Sequence, residues 1–474
     1  MAAFDQLLEQ AGQACAQQRG QERLRSHLLA QLVCLGEHTI TGLLATSGQQ
    51  FRDWSAAYRF YGRNRVAPAA LFAVVRGAVE EQLPQDQPLI VALDDSILRK
   101  CGHKIPGTAW RPDPLGAPFQ VSFVWAQRVL QMAAAMPEGI DGAARTIPID
   151  FGLAPTPHRP RPKAPESEWR AYRQEQERLN INRKAVACLE RLGQQRQDEG
   201  QTRPLWVTVD GRFTNKTFLK NAPAQAVVIG RIRGDARLHE AVEPSAPSSP
   251  AGGRPRWYGP TLPTPEELRK NEQVPWQEVE AYAAGQRHRF KIKTLDKVRW
   301  RVTGAKRALR LIVIAPLAYR PQKGRRLLYR KPAYLICTDP SLPLARVLQA
   351  YLWRWGIEVN FRDEKTLLGV GQARVRNPCS VAHVPATAVA AYALLLIAAT
   401  RAQQSPSLPL PAWRRARPTA HATCATLINQ LRCELWASSL NPGLADFSSS
   451  RPLDLKSHKP QPHLASAVLY AIAG

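Results

Sequence analysis

Two short apolar runs that end in aspartate constrain the fold of this chain more than any other feature of its sequence. The first run, QPLIVALDDS at 87–96, ends in two aspartates, and the second, RPLWVTVDGRF at 203–213, stops at one. Short runs of this kind, rich in Val, Ile and Leu, are typical of buried strands. We therefore predict an α/β protein in which a polar site lies where these strands end.

The period of the apolar residues divides the rest of the chain. Three- and four-residue spacing predicts helices at the N-terminus, where aromatic and basic residues suit either a DNA-contacting surface or the core of a helical bundle. Alternation of basic and apolar residues predicts strands further on. The predicted divisions are a helical, DNA-binding domain at 1–80, the first part of an α/β core at 81–218, a β-rich insertion at 219–338, core helices at 339–402 and a C-terminal segment at 403–474. Within the first part of the core we predict a Pro-rich linker at 154–167 and one long helix at 168–197. The insertion contains a predicted loop at 243–265, and the C-terminal segment contains one predicted helix around 421–438.

The net charge of the chain points to a polyanionic partner. Lys and Arg together number 65, against 38 Asp and Glu, which gives a formal charge of +27. Each phosphate that a cation neutralises releases counterions, so nucleic acid is the expected partner. We see no amphipathic anchor or lipid signal for a membrane. The Ala-rich run at 384–400 is short for a membrane span and predicts a buried helix.

Several functional classes are disfavoured because their motifs are missing. The eight cysteines form no CxxC pair, which predicts reduced thiols in a cytoplasmic protein and no zinc site. The ten histidines show no HExxH spacing, so a zinc hydrolase is not supported. The chain has no GxxxxGK[ST] sequence, so we do not expect energy from nucleotide hydrolysis.

A third acidic position occurs in the basic segment YLWRWGIEVNFRDEK at 351–365. In an unbroken helix, Tyr351, Arg354, Glu358 and Lys365 would share one arc about 60° wide. That arrangement places one carboxylate among two cations and a phenol. A solvated salt-bridge ladder along the helix is the alternative interpretation, worth about 0.3–0.5 kcal/mol per pair and without function. It would link Arg354, Glu358 and Arg362.

Three carboxylates on separate elements suit a pair of hard divalent cations. Mg²⁺ is held by few carboxylates and completed by substrate phosphates, and two such ions can drive phosphodiester chemistry. Mn²⁺ can substitute for it. The predicted ligands are Asp210, Glu358 and either Asp94 or Asp95. Side chains alternate along a strand, so only one of the two adjacent aspartates is expected to face the metals. We prefer Asp94 and retain both.

The spacing from Tyr351 to Lys365 reproduces the YREK signature, with all three gaps matched. With VALDDSILRKCGHKIPGTAW and LWVTVDGRF, which look like the first- and second-aspartate regions, the sequence resembles DDE transposases of the insertion-sequence type over roughly residues 50–400. The resemblance implies an RNase H-like core, a mixed sheet flanked by helices and interrupted by a β-rich insertion. It also implies metal-dependent cleavage at transposon ends and strand transfer into target DNA.

The resemblance further implies roles for individual residues and partners. The catalytic acids would be Asp94 or Asp95, Asp210 and Glu358. Double-stranded DNA, as transposon ends and target, would be the substrate of a homodimer in the synaptic complex. The insertion would hold a flipped base, and stacking on an aromatic side chain is one role for a tryptophan there, with core packing the alternative. The expected DNA contacts are Tyr351, Arg354, Lys365, Arg362, Trp300, Lys100 and Lys104, the last two also being compatible with a solvated loop.

Two other functions fit the same residues. A metal nuclease on the same fold would keep the three acids and cut DNA without joining it. A transposase-derived DNA-binding protein would have lost catalysis, although the presence of all three acids argues against such decay.

Overall fold

A computed structural model describes residues 2–440 except 52, 115, 118, 139–141, 243–256, 305–306, 322–323 and 403–420. The predicted loop at 243–265 is therefore described only from residue 257 onward. The predicted C-terminal segment lies outside the described residues apart from 421–440, where a helix is present as expected.

The elements alternate between helical and strand-rich stretches. The helices are α1 (Ala2–Gly12), α2 (Gln18–Val33), α3 (Ile40–Thr46), α4 (Ser55–Gly62), α5 (Pro68–Gln82), α6 (Glu166–Arg178), α7 (Ile181–Asp198), α8 (Lys216–Asn221), α9 (Pro265–Lys270), α10 (Leu344–Trp353), α11 (Gly356–Thr366), α12 (Pro378–Ala402) and α13 (Cys424–Leu440). The strands are β1 (Leu89–Arg99), β2 (Thr108–Pro112), β3 (Phe123–Glu138), β4 (Ala143–Leu153), β5 (Leu205–Val209), β6 (Ala226–Arg231), β7 (His239–Ala241), β8 (Tyr258–Thr261), β9 (Gln277–Ala283), β10 (Gln286–Arg299), β11 (Leu309–Ile314), β12 (Ala318–Tyr319), β13 (Leu328–Tyr329) and β14 (Ala333–Cys337).

A large mixed sheet organises the molecule. Its strand order is β2-β3-β1-β5-β6-β14-β11-β10-β7-β8, with β4 paired to β3 and β9 paired to β10. The β1, β5 and β6 strands run parallel, whereas β3 and β14 flank them in antiparallel pairing. With helices on the sheet, this is the mixed α/β architecture that the sequence predicts, consistent with an RNase H-like nuclease core. The strands from the segment predicted as an insertion extend this same sheet.

The two predicted aspartate strands lie side by side. Leu93 of β1 pairs with Val209 of β5 in parallel register, so each strand reaches its aspartate one residue later. Adjacent strands lie about 4.8 Å apart. The pairing therefore brings Asp94 and Asp210 to one edge of the parallel part of the sheet.

The N-terminal helices and the sheet share one hydrophobic core. The α12 helix packs on β4 and is covered by α1, α2, α4 and α5. By length and hydropathy α12 could cross a membrane, but 89% of its most apolar window is buried inside the protein. The interpretation of 384–400 as a buried helix is confirmed.

Two predicted helices are interrupted in the structure. The single helix predicted at 168–197 was wrong: it divides into α6 and α7, where the side chain of Asn180 accepts a hydrogen bond from the backbone N–H of Asn182 and caps α7. The segment 351–365 is also not one regular helix, because α10 ends at Trp353 and α11 begins at Gly356.

Candidate active site

Asp94 and Asp210 form the base of the candidate site. Burial, together with the negative charge of the nearby Asp210, raises the pKa of Asp94 to about 7. Asp210 is held by its own loop, since its Oδ1 accepts hydrogen bonds from the backbone N–H groups of Arg212 at 2.9 Å and Phe213 at 3.4 Å. Asp210 is thus fixed close enough to Asp94 to disfavour ionisation of the Asp94 carboxyl.

The junction between α10 and α11 separates Arg354 from the third candidate acid, Glu358. Arg354 and Trp355 keep right-handed helical backbone angles, but their N–H groups bond to the carbonyls three residues back, at Tyr351 and Leu352. Such i→i+3 bonds tighten the turn relative to an α-helix. The chain therefore keeps a helical path through the junction, with one tightened turn before Glu358.

Arg354 connects the junction to β1. Its Nη1 lies 3.1 Å from Oδ2 of Asp94, and its Nη2 lies 2.9 Å from Oε1 of Glu358. The side chain is only 12% exposed. An arginine that bridges carboxylates from two different elements is not a solvated ladder along one helix. Arg362 does not extend such a ladder either, because it pairs with Asp363 at 2.9 Å.

The other two residues of the YREK spacing lie on either side of this bridge. The guanidinium carbon of Arg354 stands 5.8 Å from the ring centroid of Tyr351, and burial raises the pKa of the Tyr351 phenol. The Nζ of Lys365 donates a hydrogen bond to Oγ of Ser96 at 2.6 Å. Ser96 follows Asp94 by two positions on β1, so both side chains project from the same face of the sheet.

Asp95 lies on the opposite face and has a different environment. Its carboxylate pairs with Nε of Arg128 at 2.7 Å and with Nη1 of Arg212 at 3.0 Å, and it is only 5% exposed. Both of its oxygens are engaged by guanidinium groups. The alternation along the strand separates the two candidates, and only Asp94 shares a face with the motif residues.

Two other acids on α11, Asp363 and Glu364, could compete with Glu358 as ligands, but both are buried. Glu364 is buried, and burial raises its pKa to about 8 while Gln131 offsets part of the shift. A carboxyl with that pKa is mostly protonated at neutral pH and is a poor metal ligand. Asp363 is also buried and is held by Arg362.

Two of the predicted DNA contacts, Lys100 and Trp300, have surroundings that do not suit DNA, whereas Lys104 is open to solvent. The Nζ of Lys100 donates hydrogen bonds to the carbonyl oxygens of Gly371 and Ala373, and burial lowers the pKa of Lys100 to about 8. Trp300 packs against the main core, so its surroundings support the packing alternative and not base stacking. Lys104 is exposed, as a surface contact or a solvated loop residue would be.

The acidic residues can be tested for their fit to a divalent cation. Asp94, Asp210 and Glu358 offer the hard oxygen donors that Mg²⁺ and Mn²⁺ prefer, and the mutual repulsion of Asp94 and Asp210 would be relieved by a cation. Among the residues that the structure describes, no three His, Cys, Asp or Glu side chains converge on one point. The donor chemistry fits, and the guanidinium of Arg354 stands between Asp94 and Glu358.

Sequence reasoning missed several residues that shape this site. Arg128 had a signal, because a cation inside the apolar run VWAQRVLQMA needs a buried partner. The sequence carried no signal for Thr146 of β4, which packs so closely on Gly356 that a Cβ there would come within 1.9 Å of the threonine Oγ1. Trp355 lies next to Arg354 and is 63% exposed, an unusual position for a large apolar side chain.

Comparison with protein families identifies the class of protein. The sequence profile of the DDE superfamily endonucleases matches residues 13–307, which is more than half of the chain. The chain belongs to this family. Membership indicates a metal-dependent enzyme that cleaves DNA. The matched residues include both aspartate strands of this DDE endonuclease and end before α11, so the match does not bear on Glu358. A comparison with curated protein sequences finds no match.

Proposed function

We propose that this DDE endonuclease is a cut-and-paste DNA transposase of the YREK type, whose catalytic acids are Asp94, Asp210 and Glu358. The observation that carries the proposal is the bridge from Arg354 to Asp94 on one side and Glu358 on the other. It joins the motif helix to the first aspartate strand, next to Asp210. Asp95 is left out of the acids because two arginines engage its carboxylate.

In this proposal the three acids hold two Mg²⁺ ions, with Mn²⁺ able to replace them. Ions bound there would activate the attacking oxygen and stabilise the leaving oxygen of the phosphodiester. The high pKa of Asp94 means that its carboxyl is half protonated near neutral pH, so its readiness to bind a cation increases as the pH rises through 7.

The cations of the motif hold the DNA in this proposal. The guanidinium of Arg354 can grip a phosphate through two parallel hydrogen bonds, and Lys365 supplies a point charge. The Tyr351 phenol beside Arg354 can donate a further hydrogen bond to a phosphate oxygen. Arg362 and Lys104 are exposed and can contact the DNA backbone outside the site. The charges of Arg354 and Lys365 would stabilise the negative charge that develops at the cut.

The DNA partners would be double-stranded transposon ends and a target duplex. Cleavage at an end frees a 3′-hydroxyl, which then attacks the target strand. A homodimer would bring two ends together in the synaptic complex. The charge of +27 supports binding of several DNA segments at once.

The proposal is tested by cleavage and joining of DNA that carries the element's terminal repeats, with Mg²⁺ present. We expect the wild type to cut and to join, and Glu358→Gln, Asp94→Asn and Asp210→Asn to bind DNA while losing at least a hundredfold in both steps. Asp95→Asn, where it folds, should retain cleavage. An enzyme that cuts without joining would be a nuclease of the same fold, and a wild type that binds without cutting would be a non-catalytic descendant.

A further inference from the structure

We propose that Arg354 is an exchangeable counter-cation: its guanidinium occupies the space between Asp94 and Glu358 and opposes binding of a divalent metal until a DNA phosphate draws it away. This inference rests on the proposed function, because it takes Asp94 and Glu358 as the metal-binding acids. It adds an order to the assembly of the site, in which DNA enters first and the metal binds tightly afterwards.

The first support is the position of the guanidinium. It contacts one oxygen of each of two carboxylates that lie on different elements, Oδ2 of Asp94 at 3.1 Å and Oε1 of Glu358 at 2.9 Å. A divalent cation held by both carboxylates would have to share them with the guanidinium. Two cations a few ångströms apart in a half-buried site repel each other strongly, since the low dielectric weakens screening. The guanidinium and the metal therefore compete for Asp94 and Glu358.

The second support is that Arg354 carries most of the local compensating charge. Among the described residues, Asp210 forms no ion pair, and its carboxylate is satisfied by backbone N–H groups. Lys365 is engaged by Ser96. Removal of the Arg354 charge would thus leave Asp94 and Glu358 without their shared cation, and Asp94 still beside Asp210, which favours any cation that can enter.

The third support is that the guanidinium is incompletely satisfied where it lies. The Nε of Arg354 is buried and has no hydrogen-bond partner among the residues that the structure describes. A buried donor without an acceptor costs free energy, so departure to an oxygen-rich ligand is favoured. A phosphate accepts two parallel hydrogen bonds from one guanidinium. Rotation about the side-chain bonds of Arg354 could then turn it from the acids to DNA without moving the helix.

The experiment measures Mn²⁺ binding to the full chain at pH 8, by electron paramagnetic resonance of the free ion and by calorimetry, without DNA. We expect Arg354→Ala to bind Mn²⁺ at least tenfold more tightly than the wild type, and Arg354→Lys to fall between them because lysine cannot bridge two carboxylates. Arg212→Ala is the matched control, since it removes an arginine from the neighbouring Asp95 pair and should leave Mn²⁺ affinity unchanged. Arg354→Lys keeps the test possible if the alanine variant does not fold.

A second measurement tests the order of binding. A short double-stranded oligonucleotide should raise the Mn²⁺ affinity of the wild type and have little effect on that of Arg354→Ala. Equal or weaker Mn²⁺ binding by both Arg354 variants, without DNA, would overturn the inference while leaving the triad intact. Failure of the triad itself has a different signature, which is Mn²⁺ binding unaffected by Asp94→Asn and by Glu358→Gln.

Discussion

Asp94 and Asp95 are neighbours in the chain with opposite environments. Asp95 is held by Arg128 and Arg212, whereas Asp94 faces Asp210 and shares Arg354 with Glu358. A carboxylate with two guanidinium partners is compensated within the protein. Asp94 is less completely compensated, because it shares one guanidinium with Glu358 and lies beside another acid, and burial together with the charge of Asp210 raises its pKa. Incompletely compensated acids of this kind are common at functional sites, because a ligand supplies the missing charge.

Asp94→Asn should stabilise the metal-free protein above neutral pH. The folded pKa of about 7 lies above the unfolded value of 3.8, so the folded state holds a proton that the unfolded state releases between these values. The free energy of unfolding of the wild type therefore falls as pH rises from about 4 to 7, by up to about 4 kcal/mol. The free energy of unfolding of the asparagine variant should not fall in this way, because its side chain does not ionise. Urea unfolding at pH 5 and pH 8 in EDTA measures the difference.

The control for this experiment is the adjacent acid. Asp95→Asn breaks the buried ion pair with Arg128 and a partly exposed one with Arg212, and should destabilise the protein by about 3 kcal/mol at pH 8. If Asp94→Asn were instead the more destabilised variant at pH 8, Asp94 would be a structural ion-pair partner like Asp95.

At the scale of elements, the close packing of α11 on β4 explains a glycine that weakens the motif helix. Gly356 is unfavourable inside a helix by roughly 1 kcal/mol relative to alanine. It lies against Thr146 so closely that a Cβ would meet Oγ1 at 1.9 Å and the threonine Cβ at 2.7 Å. The glycine lets the first turn of α11 approach β4 of the sheet.

Gly356→Ala should therefore destabilise the protein although alanine favours helices. Overpacking of this kind costs about 1–3 kcal/mol, and the displaced helix should also lose cleavage activity. Thermal unfolding and cleavage assays measure both effects. Thr146→Gly in the same chain removes the clashing atoms and should recover part of each loss. Gly77→Ala on α5, where a Cβ meets nothing within 4 Å, is the control that should be neutral or stabilising.

At the scale of the whole molecule, one core joins the N-terminal helices to the catalytic sheet. The α12 helix is covered on one side by α1, α2, α4 and α5 and on the other by β4. Apolar residues from all of these elements belong to the same buried cluster. The helices at 1–80, predicted as a domain for DNA, thus also close the core beneath the site.

A chain that lacks residues 1–82 should not fold, because its most apolar helix would be exposed to water. We expect aggregation, or loss of a cooperative unfolding transition in circular dichroism. The full chain should unfold in one transition that includes the N-terminal helices. A truncated chain that remains soluble and folded would show that the N-terminal segment is an independent domain.

The sequence by itself predicted most of the local structure around the site and its acidic character. Apolar runs ending at Asp94 and Asp210 predicted strands and acids, because burial and alternation are properties of short segments. The charge predicted nucleic acid for the same reason, as a sum over residues. The spacing of Tyr351, Arg354 and Glu358 predicted that these side chains lie together, which the structure shows even though the helix breaks at Trp355.

Only the tertiary structure decided which partners these side chains meet. The period of a strand says that Asp94 and Asp95 face opposite ways, but not which face holds Arg128 and which holds Arg354. Trp300 and Lys100 fitted a DNA surface until the core and the carbonyls of a distant loop were seen to engage them. Contacts between segments far apart in the chain depend on how whole elements pack, and no local pattern encodes that packing.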